Sequence, residues 1–319
     1  MKKALLILII SMLTIGCFEK ETPIAPFPRG DVQEQTIGMG RKYENQLFFN
    51  LAQNEVVKSI DRGLWDVAFN CSANNQTIYL NTGKSVFAAV TQATELAEIS
   101  DTTGLKFMWD WSNGKDDSTA LSGWQNHTFV WIINLGKDLK NKDLGFVKVK
   151  FKLVNQELNI EYAELNSTEI KTATLTKNGN FNRTYFSFIS HEIVDVEPPK
   201  ETFDLIFRQY TYYFEAEELP YLVVGALTNP YNTKVSIIKG VDFENITLSD
   251  TLEHPFSDAQ DAIGYDWKWY DFGNSVYVVN PKKCFILQSS SGYFYKAHFV
   301  DFYSIDGDAG YPKIEFKQL

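Results

Sequence analysis

The chain has 319 residues, and its 40 acidic residues outnumber its 30 basic residues, which gives a net charge of −10. This balance argues against a nucleic-acid partner, because binding to a phosphate backbone requires a basic surface. Aromatic residues make up 15% and charged residues 22% of the chain, so the sequence predicts a folded protein with large side chains to bury.

The N-terminal segment has the pattern of a lipoprotein export signal. Two lysines precede an apolar run at residues 4–13, which is too short to span a bilayer core of about 30 Å. The sequence Leu-Thr-Ile-Gly-Cys then resembles a lipobox that ends at Cys17. We therefore expect residues 1–17 to be a signal peptide and Cys17 to carry a lipid anchor in the outer membrane, facing the periplasm or the cell surface. The alternative is an ordinary secretory signal with an incidental cysteine.

Residues 18–34 contain three prolines and mixed charges, which indicates a flexible tether. Beyond it the dominant pattern is strand-like, and helical periodicity is best at residues 91–99, for two turns at most. Short β-branched or aromatic runs predict strands at residues 47–51, 64–69, 77–80, 129–133 and 147–151. The sequence thus predicts an all-β fold of antiparallel sheets with few helices.

The strand motifs recur in the same order along the chain. The matched segments are 43–69 with 183–207, 129–134 with 275–280, 145–151 with 292–299, and 159–162 with 313–316. A polar stretch at 168–180 separates the two series. We interpret residues 35–167 and 168–319 as two related antiparallel β units.

An acidic residue stands at the same place in both repeats. Asp66 lies in Leu-Trp-Asp-Val-Ala-Phe and Asp204 in Thr-Phe-Asp-Leu-Ile-Phe. Strand alternation places each carboxylate on the face opposite to the neighbouring aromatic side chain. We expect these residues to be structural, capping a turn or pairing with a basic strand residue such as Lys148 or Lys296.

Several of these motifs together resemble the HmuY-like lipoproteins. They are the strand at 65–69, the segment Tyr79-Leu80-Asn81-Thr82-Gly83, the small-residue strand at 85–89, the closing block at 292–303, the glycine-containing turn at 306–310 and the final strand at 311–316. The resemblance implies an all-β, lipid-anchored protein that binds haem for iron acquisition. It also implies a haemoprotein or an outer-membrane receptor as a partner.

Haem-binding members of that family hold the iron between two side chains, typically histidines, that precede the closing strands. The corresponding stretch here, residues 250–274, contains one histidine, His254, and no methionine. A histidine pair is therefore not assigned by position. If the two repeats pack side by side, His127 could meet His254 at a shared cleft, and both are candidate axial ligands for haem iron.

The walls of such a haem pocket would be aromatic. The candidates are Tyr265, Trp267, Trp269 and Tyr270. The alternative is that the two tryptophans are core-facing residues of a strand. We expect the remaining histidines, His191 and His298, to be structural.

The sequence contains no nucleophile elbow, paired-histidine zinc helix or phosphate-binding glycine loop. We therefore expect a binding protein and not an enzyme. The alternative function is a structural or interaction lipoprotein without haem, whose partner is a protein or a glycan. Cys71 and Cys284 either form one disulfide or remain two buried thiols.

Overall fold

The computed structural model describes residues 30–319, of which residues 31–319 form one compact unit. The proposed signal peptide, Cys17 and most of the tether lie outside the described residues. From residue 30 onward, no helix combines the length and the apolar character that crossing a lipid bilayer requires. The expected all-β fold is confirmed, because antiparallel strands account for nearly all of the regular structure in this part of the chain.

The strands follow the predicted runs closely. They are β1 (Gln33–Thr36), β2 (Asn45–Asn50), β3 (Glu55–Asp61), β4 (Val67–Asn70), β5 (Ile78–Leu80), β6 (Phe87–Val90), β7 (Trp131–Asn134), β8 (Phe146–Val154), β9 (Glu157–Glu164), β10 (Lys171–Leu175), β11 (Arg183–Ser187), β12 (Glu192–Val194), β13 (Leu205–Phe214), β14 (Leu219–Thr228), β15 (Lys234–Lys239), β16 (Lys268–Asp271), β17 (Val276–Val279), β18 (Lys283–Gln288), β19 (Phe294–Tyr303) and β20 (Ala309–Gln318). Within residues 30–319, the one α-helix is α1 (Asp250–Glu253).

The helix considered at residues 91–99 does not form. Only a 3-10 turn, Leu96–Glu98, lies there. The Thr91 hydroxyl donates a hydrogen bond of 2.8 Å to the carbonyl oxygen of Val130, and Leu96 is buried against Val130 and Ile132. The segment therefore follows the sheet surface instead of coiling, because tertiary contacts outweigh a weak helical propensity.

Four antiparallel sheets and one hairpin contain these strands. Sheet I has the order β1-β20-β19-β18-β15, sheet II β14-β13-β2-β3, sheet III β12-β11-β4-β5 and sheet IV β10-β9-β8-β7-β6, while β16 and β17 form the hairpin. Each of the two five-stranded sheets packs against a four-stranded one: sheet I with sheet II, and sheet III with sheet IV. Sheets II and III pack against each other through their remaining faces. The stack therefore runs I-II-III-IV, and both faces of the two inner sheets are buried.

The two inner sheets combine strands from distant parts of the chain. In sheet II, β2 from the N-terminal half pairs with β13. In sheet III, β11 from the C-terminal half pairs with β4. The β2–β3 and β11–β12 hairpins are thus exchanged across the proposed boundary at residue 168. The assignment of residues 35–167 and 168–319 to two repeats remains a proposal.

Asp66 and Asp204 make matching contacts at the exchanged strands. Oδ2 of Asp66 accepts a hydrogen bond of 2.7 Å from the N–H of Phe188, just after β11. Oδ2 of Asp204 accepts one of 2.8 Å from the N–H of Leu51, just after β2. Asp66 also forms an ion pair of 2.5 Å with Lys84, and both side chains are buried. Each carboxylate therefore caps a strand end contributed by the other half of the chain.

Lys148 and Lys296 are not the partners of these aspartates. The Lys148 ammonium donates a hydrogen bond of 3.0 Å to the carbonyl oxygen of Ile99. The Lys296 ammonium donates one of 3.1 Å to the carbonyl oxygen of Ile246. Both carbonyls directly follow a 3-10 turn, so each lysine ties a crossing loop to the outer face of a five-stranded sheet.

Cys71 and Cys284 are free and buried. The Cys71 sulfur lies 3.3 Å from the hydroxyl oxygen of Thr184. Cys284 belongs to a separate apolar cluster on sheet I with Ile238 and Ile286. Of the two alternatives for these residues, the structure shows the pair of thiols.

Candidate functional site

The two candidate iron ligands, His127 and His254, lie at opposite ends of the four-sheet stack. The ring of His127 stacks on Trp131 of sheet IV, with 5.5 Å between the ring centroids. His254 follows α1, and nearby Phe256 packs with the apolar cluster on the outer face of sheet I. The sheets are stacked as four layers and not side by side, so the structure does not bring these histidines to a shared cleft.

The four candidate aromatic residues are also distributed over different environments. Trp267 is fully buried in the core between sheets I and II, with its ring 3.9 Å from that of Phe299. Tyr265 packs instead against Tyr212, at 4.9 Å between centroids, beside the core of sheets II and III. Only Trp269 and Tyr270 are exposed, and they are neighbours in β16, so their side chains point to opposite faces of one hairpin.

That hairpin consists of β16 and β17. Trp269 is 53% exposed, Tyr270 is 39% exposed, and Phe272 at the turn is 86% exposed. The Tyr270 ring lies 5.1 Å from both the Phe272 ring and the Tyr277 ring. We call these four residues the aromatic hairpin cluster. Trp269 is therefore not core-facing, whereas Trp267 is.

A buried lysine anchors the base of this hairpin. The Lys268 ammonium donates a hydrogen bond of 2.6 Å to the carbonyl oxygen of Val224. It lies 4.3 Å from the ring centroid of Trp267 and 4.5 Å from that of Phe302. Burial lowers the pKa of Lys268 to about 7. The exposed rings of the hairpin therefore stand on a well-packed base.

His254 and the aromatic hairpin cluster lie at opposite ends of β19. The ring of Phe256 packs at 5.8 Å on Phe294, where β19 begins, and Tyr277 packs at 4.9 Å on Phe302, near its end. Eight residues of strand span about 26 Å at about 3.3 Å per residue. In this conformation no imidazole of the candidate pair reaches the exposed rings.

The remaining histidines have structural contacts, as expected. Both ring nitrogens of His298 lie 2.9 Å from acceptors, the carbonyl oxygen of Pro281 and the carboxylate of Glu315. Those of His191 contact the Tyr162 hydroxyl at 3.1 Å and the Lys171 ammonium at 2.7 Å. Neither histidine presents a free nitrogen to a ligand.

His254 differs from these two residues because no hydrogen bond to its ring occurs within the described part of the chain. Its ring lies near the carboxylates of Asp250 and Glu253, so that one ligand atom from each residue falls within 4.8 Å of the others. His254 is half-buried and accessible. An isolated imidazole of this kind retains the ability to ligate a metal.

Sequence reasoning missed two features of the surface. Phe272, the most exposed member of the aromatic hairpin cluster, lies within residues 250–274 and is close to Trp269 and Tyr270 in sequence. The second feature is a cavity of about 700 Å³, lined by cationic residues from several loops, among them Lys177, Arg183 and Lys200. No local sequence motif predicts this cavity, because its residues come together only through the exchange of hairpins.

One comparison with known proteins identifies a family. The model of the HmuY protein family matches residues 42–316. Among curated proteins, no match is found. Among solved structures, the apo HmuY analog of Tannerella forsythia is 10% identical and has a TM-score of 0.27, with coverage of 92% of this chain and 98% of that chain. A candidate lipoprotein of Bacteroides fragilis is 14% identical and has a TM-score of 0.23, with coverage of 52% of this chain and 90% of that chain.

Proposed function

The chain belongs to the HmuY family, and from this membership we propose that it captures haem, or another planar apolar ligand, at the outer membrane. Cys17 would carry the lipid anchor, and residues 18–34 would connect it to the four-sheet body. The work of this protein is binding, and no catalytic step is part of the proposal.

The observation that supports ligand capture is the aromatic hairpin cluster. Folded proteins bury most of their large aromatic side chains, and exposed apolar rings that contact each other, as Tyr270 and Phe272 do, mark an interaction or ligand surface. Trp269, Tyr270 and Phe272 expose their rings on one two-stranded hairpin with a rigid base. Rings of this size match the apolar face of a porphyrin, and burying them against it would contribute most of the affinity.

The exposed rings suit contact with the porphyrin face of haem, but the set of candidate ligands for the iron is incomplete. Tyr270 has the side-chain chemistry of a known haem ligand, and it lies within the cluster. His127 and His254 lie too far away for both to ligate one iron in this conformation. When bound, haem would supply the redox and ligand-exchange chemistry of its iron, whereas the chain supplies the apolar platform.

Haem titration of hairpin variants tests this proposal. In Trp269→Ala and Phe272→Ala we expect the dissociation constant for ferric haem, measured on the full chain by quenching of tryptophan fluorescence, to rise about tenfold or more, because each change removes one buried ring. Tyr293→Ala is the matched control, since Tyr293 is 57% exposed outside the hairpin. Equal effects in all three variants would contradict the proposal.

The histidine variants His127→Ala and His254→Ala belong to the same titration. Binding at the hairpin alone predicts that both keep their affinity for haem. A selective loss in His254→Ala, together with a changed visible spectrum, would instead assign that imidazole to the iron. The distance along β19 would then require closure of the hairpin on binding.

The interaction lipoprotein is the second candidate function. It is favoured by the separation of His127 from His254, since without a pair of imidazoles the aromatic hairpin cluster equally suits a protein surface. If every haem titration fails while the hairpin remains exposed, the interaction lipoprotein becomes the better supported function.

A further inference from the structure

The cavity of about 700 Å³ lies on the opposite side of sheet II from the core that holds the aromatic hairpin. Its walls include Tyr79 of β5, Arg183 at the start of β11, and Tyr231, which follows β14. Its volume falls within the range of small-molecule sites, about 300–1,000 Å³. Strands and loops from both halves of the chain build it, so its shape is fixed by the exchange of hairpins.

Three half-buried cations line this cavity, and each is held against an aromatic ring. The Lys177 ammonium lies 4.8 Å from the centroid of Phe69. The Arg183 guanidinium lies 4.0 Å from the centroid of Tyr79. The Lys200 ammonium lies 4.8 Å from the centroid of Tyr231. Such contacts fix the direction of a charged group and keep it partly shielded from water.

None of these cations makes a direct ion pair with a carboxylate. Within residues 30–319, none of the ion pairs includes Lys177, Arg183 or Lys200. This is unexpected in a chain with a net charge of −10, where acidic residues are abundant. The carboxylates of Asp116, which lines the cavity, and of the buried Glu197 offset part of this charge. The positive charge that remains favours an anion in the space between the cations.

The acidic residues near the cavity are already engaged. The two carboxylate oxygens of Asp116 accept hydrogen bonds of 2.6 Å from the Tyr79 hydroxyl and from the amide of Asn75. Glu197 is buried behind Arg183, where it accepts hydrogen bonds from the backbone N–H of Arg183 at 2.8 Å and from the Tyr185 hydroxyl at 3.0 Å. The Lys177 ammonium is also engaged, because it donates hydrogen bonds to the carbonyl oxygens of Ser72, at 2.6 Å, and of Asn75. Arg183 and Lys200 are therefore the cations whose charged groups are most available to a ligand in the cavity.

We propose that this cavity is a second ligand site, which binds the carboxylate groups of a small molecule. Arg183 would provide the planar pair of donors that suits a carboxylate, and Lys177 and Lys200 would add charge on either side. Carboxylates of this kind occur on free organic acids and also on the propionate arms of haem.

Calorimetric titration of the full chain with citrate tests the site without involving haem. We expect saturable binding of one citrate per chain, weakened about tenfold in Lys200→Gln and in Arg183→Gln, because each loses a charged hydrogen bond. Lys282→Gln is the control, since Lys282 is exposed on another loop. If Arg183→Gln disturbs folding through loss of the Tyr79 contact, Lys200→Gln still tests the site. Non-saturable heats, or equal affinities in Lys200→Gln and the unmodified chain, would overturn the proposal.

Competition then identifies the source of the carboxylate. If citrate weakens the binding of haem but not of haem dimethyl ester, the cavity receives the propionates. If citrate binds and leaves haem affinity unchanged, the cavity serves a free carboxylate compound. Because the citrate titration contains no haem, its failure is distinguishable from failure of haem capture at the hairpin.

Discussion

Asp66 and Asp204 occupy matching positions but differ by one neighbouring charge. The backbone N–H of Asp66 donates to the carbonyl oxygen of Phe186 at 2.9 Å, and that of Asp204 to the carbonyl oxygen of Phe49 at 2.8 Å. Only Asp66 has a buried cation, Lys84, beside it. Asp204 accepts instead from the N–H and the hydroxyl of Ser290, at 2.8 and 2.9 Å.

This difference predicts unequal effects of two similar substitutions. Asp66→Asn leaves the Lys84 ammonium buried without its counter-charge, so we expect the free energy of unfolding to fall by about 3–5 kcal/mol. Asp204→Asn loses charge-assisted hydrogen bonds only, so we expect a fall of about 1.5–3 kcal/mol. Urea unfolding of both variants measures the difference. Adding Lys84→Met to Asp66→Asn should recover part of the loss, and equal effects of the two single changes would refute the assignment.

Lys268 makes stability depend on pH in a defined direction. Burial lowers its pKa from 10.5 to about 7, so between these values the unfolded chain binds a proton that the folded chain does not. The contribution of this group to stability therefore rises as pH increases from 7 to 10.5 and is constant at lower pH.

The test compares Lys268→Met with the unmodified chain by urea unfolding at pH 7 and pH 9. We expect the unmodified chain to gain about 2 kcal/mol relative to the variant between these pH values. Lys282→Met, which removes an exposed lysine, should show no such gain. A difference between Lys268→Met and the unmodified chain that does not vary with pH would mean that Lys268 is protonated normally in the folded protein.

The sequence predicted a structural role for Asp66 and Asp204, but it did not identify the residues that contact them. The Asp66 carboxylate contacts a residue 122 positions away in the chain, and no local pattern encodes a contact of that separation. The same limit applies to Trp267 and Trp269. The alternative that both tryptophans face the core holds for Trp267 only, which precedes β16 and turns into the core, whereas Trp269 lies within the hairpin and faces outward.

At the scale of elements, sheets I and IV show the same strand order when sheet I is traced from β15 and sheet IV from β6. The position of β7 in sheet IV, between β6 and β8, is filled in sheet I by β18. The sequence match of 129–134 with 275–280 selected β17 instead, which lies outside sheet I. Short alternating strands resemble each other closely, so sequence similarity alone could not choose between β17 and β18.

We propose that the two series of strands are related units that have exchanged their first hairpins. The exchange predicts that neither residues 31–167 nor residues 168–319 fold alone as a monomer, because β4 and β13 would each lose a neighbouring strand and expose an edge. Co-expression of the two pieces should restore a 1:1 complex with cooperative thermal unfolding. Cooperative unfolding of either piece as an isolated monomer would contradict the exchange.

At the scale of the whole molecule, the stack of four sheets explains why the predicted haem pocket is not assembled. Composition and strand patterns were sufficient to predict an all-β protein, because they depend on local alternation and on turn residues. The order of the layers depends on which strands pair across the chain. That order places His127 and His254 on opposite outer sheets, and it leaves the aromatic hairpin cluster and the cationic cavity as separate surfaces.

Visible absorption spectroscopy tests haem binding by the aromatic hairpin cluster most directly. The full chain is titrated with ferric haem, and the Soret band is followed before and after reduction, in the unmodified chain and in Trp269→Ala. We predict a shifted Soret band that saturates at one haem per chain and is weakened in Trp269→Ala. A titration without saturation, or an identical curve for Trp269→Ala, would contradict the account.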